Sequence, residues 1–459
     1  MSVSDPIVII ALALALAVAG AGLLRPFLGL LVLILIHFVQ PAELIPALEP
    51  FRIELVYALL LLLSFVVHRA STPTAPSLTS PILRAALMLL GYATLTVPFA
   101  IWRGGALNQV IELAKLVFIL FFIATLIDSR FRLRSIVWVL VVLLAWYAGS
   151  AMHSYLKGEI VFSKGEGVTR AVGASSAVGD PNALAGLIVG LLPFLIAAIR
   201  FTRMIAARLL LLLVFPLAVA TLIVTGSRAS MFALVAIGIY YVFHSKHKVL
   251  SFACFVALLC AAWIGMPAEY QQRYLSPARY AQGEELDASN ELRIRIWKAG
   301  WRMFLDHPIL GVGAGQFRTA YGTVYSGREH GPWMQPHNLL IQVVCELGLV
   351  GLGVFAYFLT QIIKSIWSVL QLKNEPAYGL NYQVAVACGA MLLGVLAISS
   401  VGHTLYRPYW YLLGGFVAAN RFVADQVEKS EAGGGLGDKV SREDEFQVAP
   451  ATVVINGKT

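Results

Sequence analysis

Long apolar runs alternate with short basic connections along almost the whole chain. The runs lie near 7–24, 27–47, 52–68, 82–102, 112–127, 135–152, 182–199, 208–225, 229–243, 249–266, 337–363, 383–401 and 408–424. A helix needs roughly 20 apolar residues to cross the hydrocarbon core of a bilayer. The runs are continuous and do not alternate with period two, so they predict helices rather than a barrel. The basic connections set the orientation. Arg130, Arg132 and Arg134 mark one cytoplasmic loop; Arg200, Arg203 and Arg208 a second; Lys246 and Lys248, with His244 and His247, a third; Lys364 and Lys373 a fourth. This assignment alternates consistently and puts 153–181, 226–228, 267–336 and 402–407 on the outer side. With a cytoplasmic C-terminus, about twelve crossings are expected. The ambiguity lies before residue 52, where only Arg25-Pro26 separates the first two runs, as a tight hairpin or a broken passage.

The expected fold is therefore an all-α polytopic membrane protein with one large helical outer loop. Residues 1–426 form the membrane domain, loop 267–336 included. Residues 427–459 are rich in Gly, Glu, Lys and Asp, poor in aromatics, and predicted to be disordered. Within the loop, Leu292, Ile296, Ala299 and Met303 recur at helical spacing, which predicts a helix over 290–305. Asp306-His307-Pro308 ends it, and Gly311-Val312-Gly313-Ala314-Gly315 makes a turn. A loop this long with its own helix is usually functional.

Composition agrees: 59% of residues are hydrophobic and 13% charged, with a mean hydropathy of +0.77. Much of the net charge of +9 lies in the loops between spans, so it is no nucleic-acid footprint. The first apolar run follows Asp5 rather than a basic segment and ends at Arg25-Pro26, which reads as a retained membrane segment, not a signal peptide. Cys254, Cys260, Cys345 and Cys388 lie in or beside apolar runs without metal-site spacing and are read as small buried hydrophobes.

The chemistry concentrates on the outer side. His337 opens an apolar run directly after the polar loop, at a membrane boundary where an imidazole can accept a proton at neutral pH. At ~100° per residue, Gly348 falls ~20° and Gly351 ~40° from His337 around a helix. Their bare face would let another helix or an acyl chain come close. Arg228, in Thr225-Gly226-Ser227-Arg228, lies at the outer end between two runs and suits a phosphate through its planar fork, although it can equally anchor at headgroups. The turn it belongs to would offer backbone N–H groups to an anion. Arg293, Arg295 and Arg302 lie on the loop helix, with Trp297 one turn beyond Arg293, and Arg170 is a further candidate in the outer loop 153–181. Glu112, Lys115 and Glu346 are charges inside apolar runs. Glu112 and Lys115 can pair with each other, while Glu346, ~180° from His337, would anchor another helix. Asp180-Pro181-Asn182 reads as a helix cap. The closing Gly457-Lys458-Thr459 is no phosphate loop, since Thr452 stands where the first glycine belongs. No metal site and no cofactor are expected.

His337-Asn338, followed after nine residues by Gly348 and then Gly351, resembles the signature of the O-antigen ligase superfamily, which includes O-antigen polymerases and O-linked oligosaccharyltransferases. Thr225-Gly-Ser-Arg228, Arg293-x3-Trp297, Pro308-x2-Gly311-x-Gly313 and Asp180-Pro-Asn182 resemble further elements of that superfamily. Phe232 stands where some ligases have Leu. The resemblance implies a GT-C-like, metal-independent enzyme on the periplasmic side of the bacterial inner membrane. It would take a glycan from undecaprenyl diphosphate and pass it to lipid A-core with inversion. His337, Arg228 and Arg293 would be catalytic, with Arg170, Arg295, Trp297 and Asn338 binding substrate. Other acceptors in the superfamily are a growing glycan or a protein Ser/Thr. Arg25-Pro26-Phe27-Leu28-Gly29 and Gln40-Pro41 resemble glycosylation ligases associated with exosortase systems, which keeps the protein acceptor open. A different class, a secondary transporter, would use the charges inside the spans.

Overall fold

The computed structural model describes residues 19–71, 80–162, 168–175, 178–281, 288–326 and 333–432. The fold is helical, as expected. The long helices are α1 (Pro26–Val39), α2 (Ile53–Ser71), α3 (Pro81–Thr96), α4 (Arg103–Leu126), α5 (Arg130–Lys157), α6 (Pro181–Phe201), α7 (Ile205–Val224), α8 (Arg228–Phe243), α9 (Lys248–Ile264), α10 (Ala268–Ala281), α11 (Ala288–Asp306), α12 (Leu339–Leu370), α13 (Gly379–Ser399) and α14 (Pro408–Ala432). A two-residue antiparallel pairing, β1 (Val161–Phe162) with β2 (Arg170–Ala171), ties the α5–α6 connection.

Among the described residues, eight helices are long and apolar enough to cross a membrane, or nine if the pair Lys248–Ile264 and Ala268–Leu275, bent by 116°, supplies one span. α1 and α8 are shorter apolar helices, and α14 carries Arg421, Asp425, Glu428 and Lys429 toward its end. Near the start, the chain bends sharply at Arg25 and brings Gly22 against Gly29. In a straight helix, residues seven apart lie ~10 Å apart along the axis. α14 continues to Ala432, past the domain boundary expected at residue 426. The rest of the predicted disordered tail, and residues 1–18 of the first run, lie outside the described residues.

α6 and α13 sit at the centre of the bundle, buried almost all round, as helices apolar on every face should be. α9 is peripheral and buries none of its residues within the protein. This corrects the reading of the cysteines: Cys345 and Cys388 are buried, but Cys254 and Cys260 are exposed on α9, because among the described residues that helix packs chiefly against α8.

The outer loop is ordered by its own small core. Ile296, Ala299 and Met303 of α11 pack with Val312, Phe317, Ala320, Tyr321 and Cys345, and Leu292 packs at its edge. The turn after α11 docks on the backbone of α12. Val312 N donates to Cys345 O (2.8 Å), Gly313 N to Glu346 O (3.1 Å) and Leu349 N to Pro308 O (2.9 Å). Glu346 Oε2 accepts from Gly315 N at 3.0 Å.

This docking changes the meaning of the glycine spacing. Gly348 has φ +66° and ψ −167°, so α12 is broken there and angles cannot be carried along one continuous helix from His337. The bare side of Gly348 receives the Ile309–Leu310 backbone, and Gly351 faces Leu347 and Tyr92. Neither glycine provides the open face that even spacing suggests.

Candidate functional site

The starting ends of α6, α8 and α12, the far end of α13 and the loop helix α11 come together on one side of the bundle. They enclose a cavity of about 560 Å³ whose lining includes His337, Arg228, Arg293, Arg170, Arg273 and Asp180. All three residues expected to be catalytic reach it, as does Arg170.

His337 is held by its neighbours in chain and space. Its backbone has φ +47°, a left-handed conformation that non-glycine residues rarely adopt and that costs of order 1–3 kcal/mol. Trp297 Nε1 donates to Pro336 O (2.9 Å) on one side. On the other, Asn338 caps α12: its Oδ1 accepts from Ile341 N (3.0 Å) and its Nδ2 donates to Ser400 O (2.9 Å). The imidazole meets the ring of His403 edge-on at 5.3 Å. Burial, and then the Arg293 guanidinium, push the His337 pKa below its ordinary value, while Asp180 pulls the other way. The side chain is thus neutral at pH 7 and able to accept a proton. His403 is driven down to about 3 by burial, by the repulsion a protonated His337 would add, and by the charge of Arg407, so it stays uncharged.

Trp297 and Asn338 do not line the cavity; they position the histidine. In Trp297→Phe the ring packing survives and one hydrogen bond of about 1 kcal/mol is lost. The expected result is a small loss of thermal stability, read by unfolding of the variant and the unaltered protein side by side.

Arg228 begins α8, where the helix N-terminus adds partial positive charge. The turn before it is closed by Gly226 at φ +58°. A side chain there would crowd the guanidinium groups of Arg273 and Arg170, at 3.2 and 3.4 Å. Arg273 Nε donates to Gly226 O (2.8 Å) and Arg170 Nε to Thr225 O (2.7 Å). Arg170 is buried and also donates to Asn182 Oδ1 (3.2 Å). Asp180 caps α6, accepting from Asn182 N (2.8 Å) and Ala183 N (3.2 Å), as the Asp-Pro-Asn pattern predicts. It faces the cavity as well, which the cap reading alone does not reveal.

A second, apolar groove of about 520 Å³ lies between α7, α8 and α9. It shares Arg228 and Phe232 with the polar cavity, so a cationic chamber and an apolar groove lie on two sides of one arginine.

Residues 213–356 match the family model described as O-antigen ligase. This segment, about a third of the chain, is similar to the O-antigen ligase family. Residues 5–158 match a separate family of unknown function (DUF5935). No curated protein matches the chain. The O-antigen ligase segment holds Arg228, Arg293 and His337, whereas Arg170 and Asp180 lie between the two matched segments. Members of the superfamily are glycosyltransferase-like enzymes.

Arg295 stands apart from the other predicted residues. It is exposed, pairs with Glu291 at 3.0 Å and does not line the cavity. Two residues from Arg293, it falls ~200° around α11, so both cannot face one ligand. The charges inside the spans are engaged locally. Lys115 pairs with Glu112 (2.6 Å) and Glu54 (3.4 Å), and Glu54 with His37 (2.7 Å). Glu346 fastens the 311–315 turn instead of another helix. Sequence reasoning missed Arg273 and His403. His403 lay in a turn already assigned to the site's side, but no spacing tied it to His337.

Proposed function

We propose that this protein transfers a glycan from undecaprenyl diphosphate to a sugar hydroxyl of lipid A-core, at the periplasmic face of the bacterial inner membrane. The observation that carries the reading is the meeting of His337 with Arg228 and Arg293 in one cavity that shares Arg228 and Phe232 with an adjoining apolar groove. A lipid diphosphate has these two halves. Arg228 and Arg293 hold the diphosphate, with Arg170 and Arg273 adding to the positive field. The groove between α7 and α9 takes the polyprenyl chain. His337 removes the proton from the acceptor hydroxyl, whose oxygen attacks the anomeric carbon. The bond from that carbon to the diphosphate oxygen breaks, and undecaprenyl diphosphate leaves with the electron pair. The leaving group is a weak base and needs no general acid. Direct attack inverts the anomeric carbon.

A protein Ser or Thr hydroxyl is the second reading. It rests on the resemblance of the Arg25–Gly29 and Gln40-Pro41 elements to glycosylation ligases associated with exosortase systems. Reconstitution with a lipid-diphosphate glycan and both acceptors, followed by mass spectrometry of the products, separates the two. Product on neither acceptor overturns the transferase reading.

For the arginines, Arg228→Ala and Arg293→Ala are each expected to weaken donor binding roughly tenfold to a hundredfold, the value of a charge-assisted hydrogen bond. Arg228→Lys should recover only part of it, because an ammonium lacks the fork. Titration with undecaprenyl diphosphate checks this; unaltered affinity in both alanine variants removes the arginines from the donor site.

A further inference from the structure

α6, α8 and α12 carry the candidate site at their starting ends. Their opposite ends, with the starts of α9 and α13, enclose a second polar cavity of about 820 Å³. Arg200, Lys246, Lys248 and Lys373 line it, with Trp367 and Gln383, and no Asp or Glu is among its lining residues. Among the described residues no carboxylate forms an ion pair with Lys246, Lys248 or Lys373. Arg200 is oriented on the inner wall: its Nη1 donates to Gln383 Oε1 (3.0 Å), and its guanidinium lies over the Tyr241 ring at 5.3 Å. Arg200 and Ser245 also line an apolar groove of about 250 Å³ that continues between α7, α8 and α9, past Phe215, Ile237, Phe255 and Leu258.

The excess of lysine and arginine on one side of a membrane protein explains the sign of this charge. It does not explain why four cations surround a hollow that leads into an apolar groove. A soluble anion would use the cavity and leave the groove empty. An anionic phospholipid fills both, and basic pockets between spanning helices on the cytoplasmic side are suited to such headgroups. We propose that this cavity binds the phosphate headgroup of an anionic phospholipid whose acyl chain lies in the α7–α8–α9 groove. The headgroup cavity is separate from the glycan-transfer site, whereas this groove adjoins the one given to the polyprenyl chain and shares Val219, Leu234, Leu259 and Ala262 with it.

The test uses the full chain in nanodiscs of mixed phosphatidylglycerol and phosphatidylcholine. Retained lipid is quantified by mass spectrometry after detergent extraction. The unaltered protein is expected to retain phosphatidylglycerol selectively. The triple variant Lys246→Gln, Lys248→Gln, Lys373→Gln should lower that selectivity roughly a hundredfold, at about fivefold per cation removed. The comparison variant Arg203→Gln, Arg208→Gln, Lys364→Gln removes charge from the same side but outside the cavity, and should change little. Equal loss in both variants means diffuse surface charge and overturns the site. Leu258→Trp, which fills the groove, should also reduce retention; no change overturns the acyl placement. Displacement of the lipid by inorganic phosphate marks a simple anion site and overturns the lipid assignment. Should the triple variant not fold, photoactivatable phosphatidylglycerol on the unaltered protein should label 243–248 and 367–374, and labelling confined to other segments overturns the proposal.

Discussion

His337→Asn is expected to lose glycan transfer by roughly 10²–10⁴-fold, the usual contribution of a general base, while the protein folds and still binds donor. Asparagine is the informative replacement because His337 sits at φ +47°. Asn tolerates the left-handed region better than most residues, so the backbone at the start of α12 is kept and the base alone is removed. His337→Ala adds backbone strain to the same chemical loss. If both variants lack activity but only the alanine variant is less stable, chemistry and strain are separated. Wild-type turnover in His337→Asn, in detergent or in cells lacking other ligases, ends the base assignment.

The pH profile tests the same residue differently. The base works only when neutral. Burial and Arg293 lower the His337 pKa, so the neutral form persists below the ordinary histidine value near 6.5. The acid limb of kcat/KM, which reports the free enzyme, is expected below that value. Removing the nearby cation in Arg293→Gln favours the protonated ring and raises its pKa. The limb should then move to higher pH. A bound diphosphate screens the same cation, so the limb of kcat at saturating donor should lie above that of kcat/KM. An acid limb unmoved by Arg293→Gln contradicts the electrostatic coupling between them.

Much of this site was legible because it follows from order and side. Runs and basic loops put Arg170, Arg228, Arg293 and His337 on one face of the membrane, and 3.6-residue periodicity gave α11 nearly to its ends. Periodicity also carried a warning that went unused: Arg293 and Arg295 cannot share a face, and only Arg293 lines the cavity. What the sequence could not show were features created by tertiary approach. The left-handed backbone of His337 depends on a tryptophan forty positions earlier and on the end of α13. His403 enters through the turn before α14 and Arg273 through α10, and the positions of both are set by packing, not by local pattern. Glu346 looked like a charge seeking another helix because the glycine turn that it secures is distant in sequence and contiguous only in space.

The same tertiary approach makes Gly348→Ala the second large expected effect. At φ +66° and ψ −167°, Gly348 occupies backbone space that is essentially reserved for glycine, and occupying it with another residue costs of order 1–3 kcal/mol. An added Cβ would also fall on the Ile309 carbonyl and the Leu310 nitrogen, which are backbone atoms that cannot swing aside. The 308–315 turn would have to leave α12, giving up the bonds from Val312 N, Gly313 N and Leu349 N and the Glu346–Gly315 contact. Tyr92, whose hydroxyl donates to both Ile309 O (3.0 Å) and Leu347 O (2.9 Å), would lose its shared seat. Because α11 packs on this turn through Val312 and Phe317, Arg293 and the Trp297 contact to Pro336 would be displaced together. The variant is therefore expected to show both a lower thermal midpoint and loss of transfer, although no atom of Gly348 lines the cavity. Gly353→Ala is the control, since a Cβ there meets nothing within 4 Å. Thermal unfolding followed by intrinsic fluorescence, with transfer measured on the same preparations, distinguishes them. If Gly348→Ala matches Gly353→Ala in both, the turn does not hold the loop helix in place, and the positioning of Arg293 must come from elsewhere.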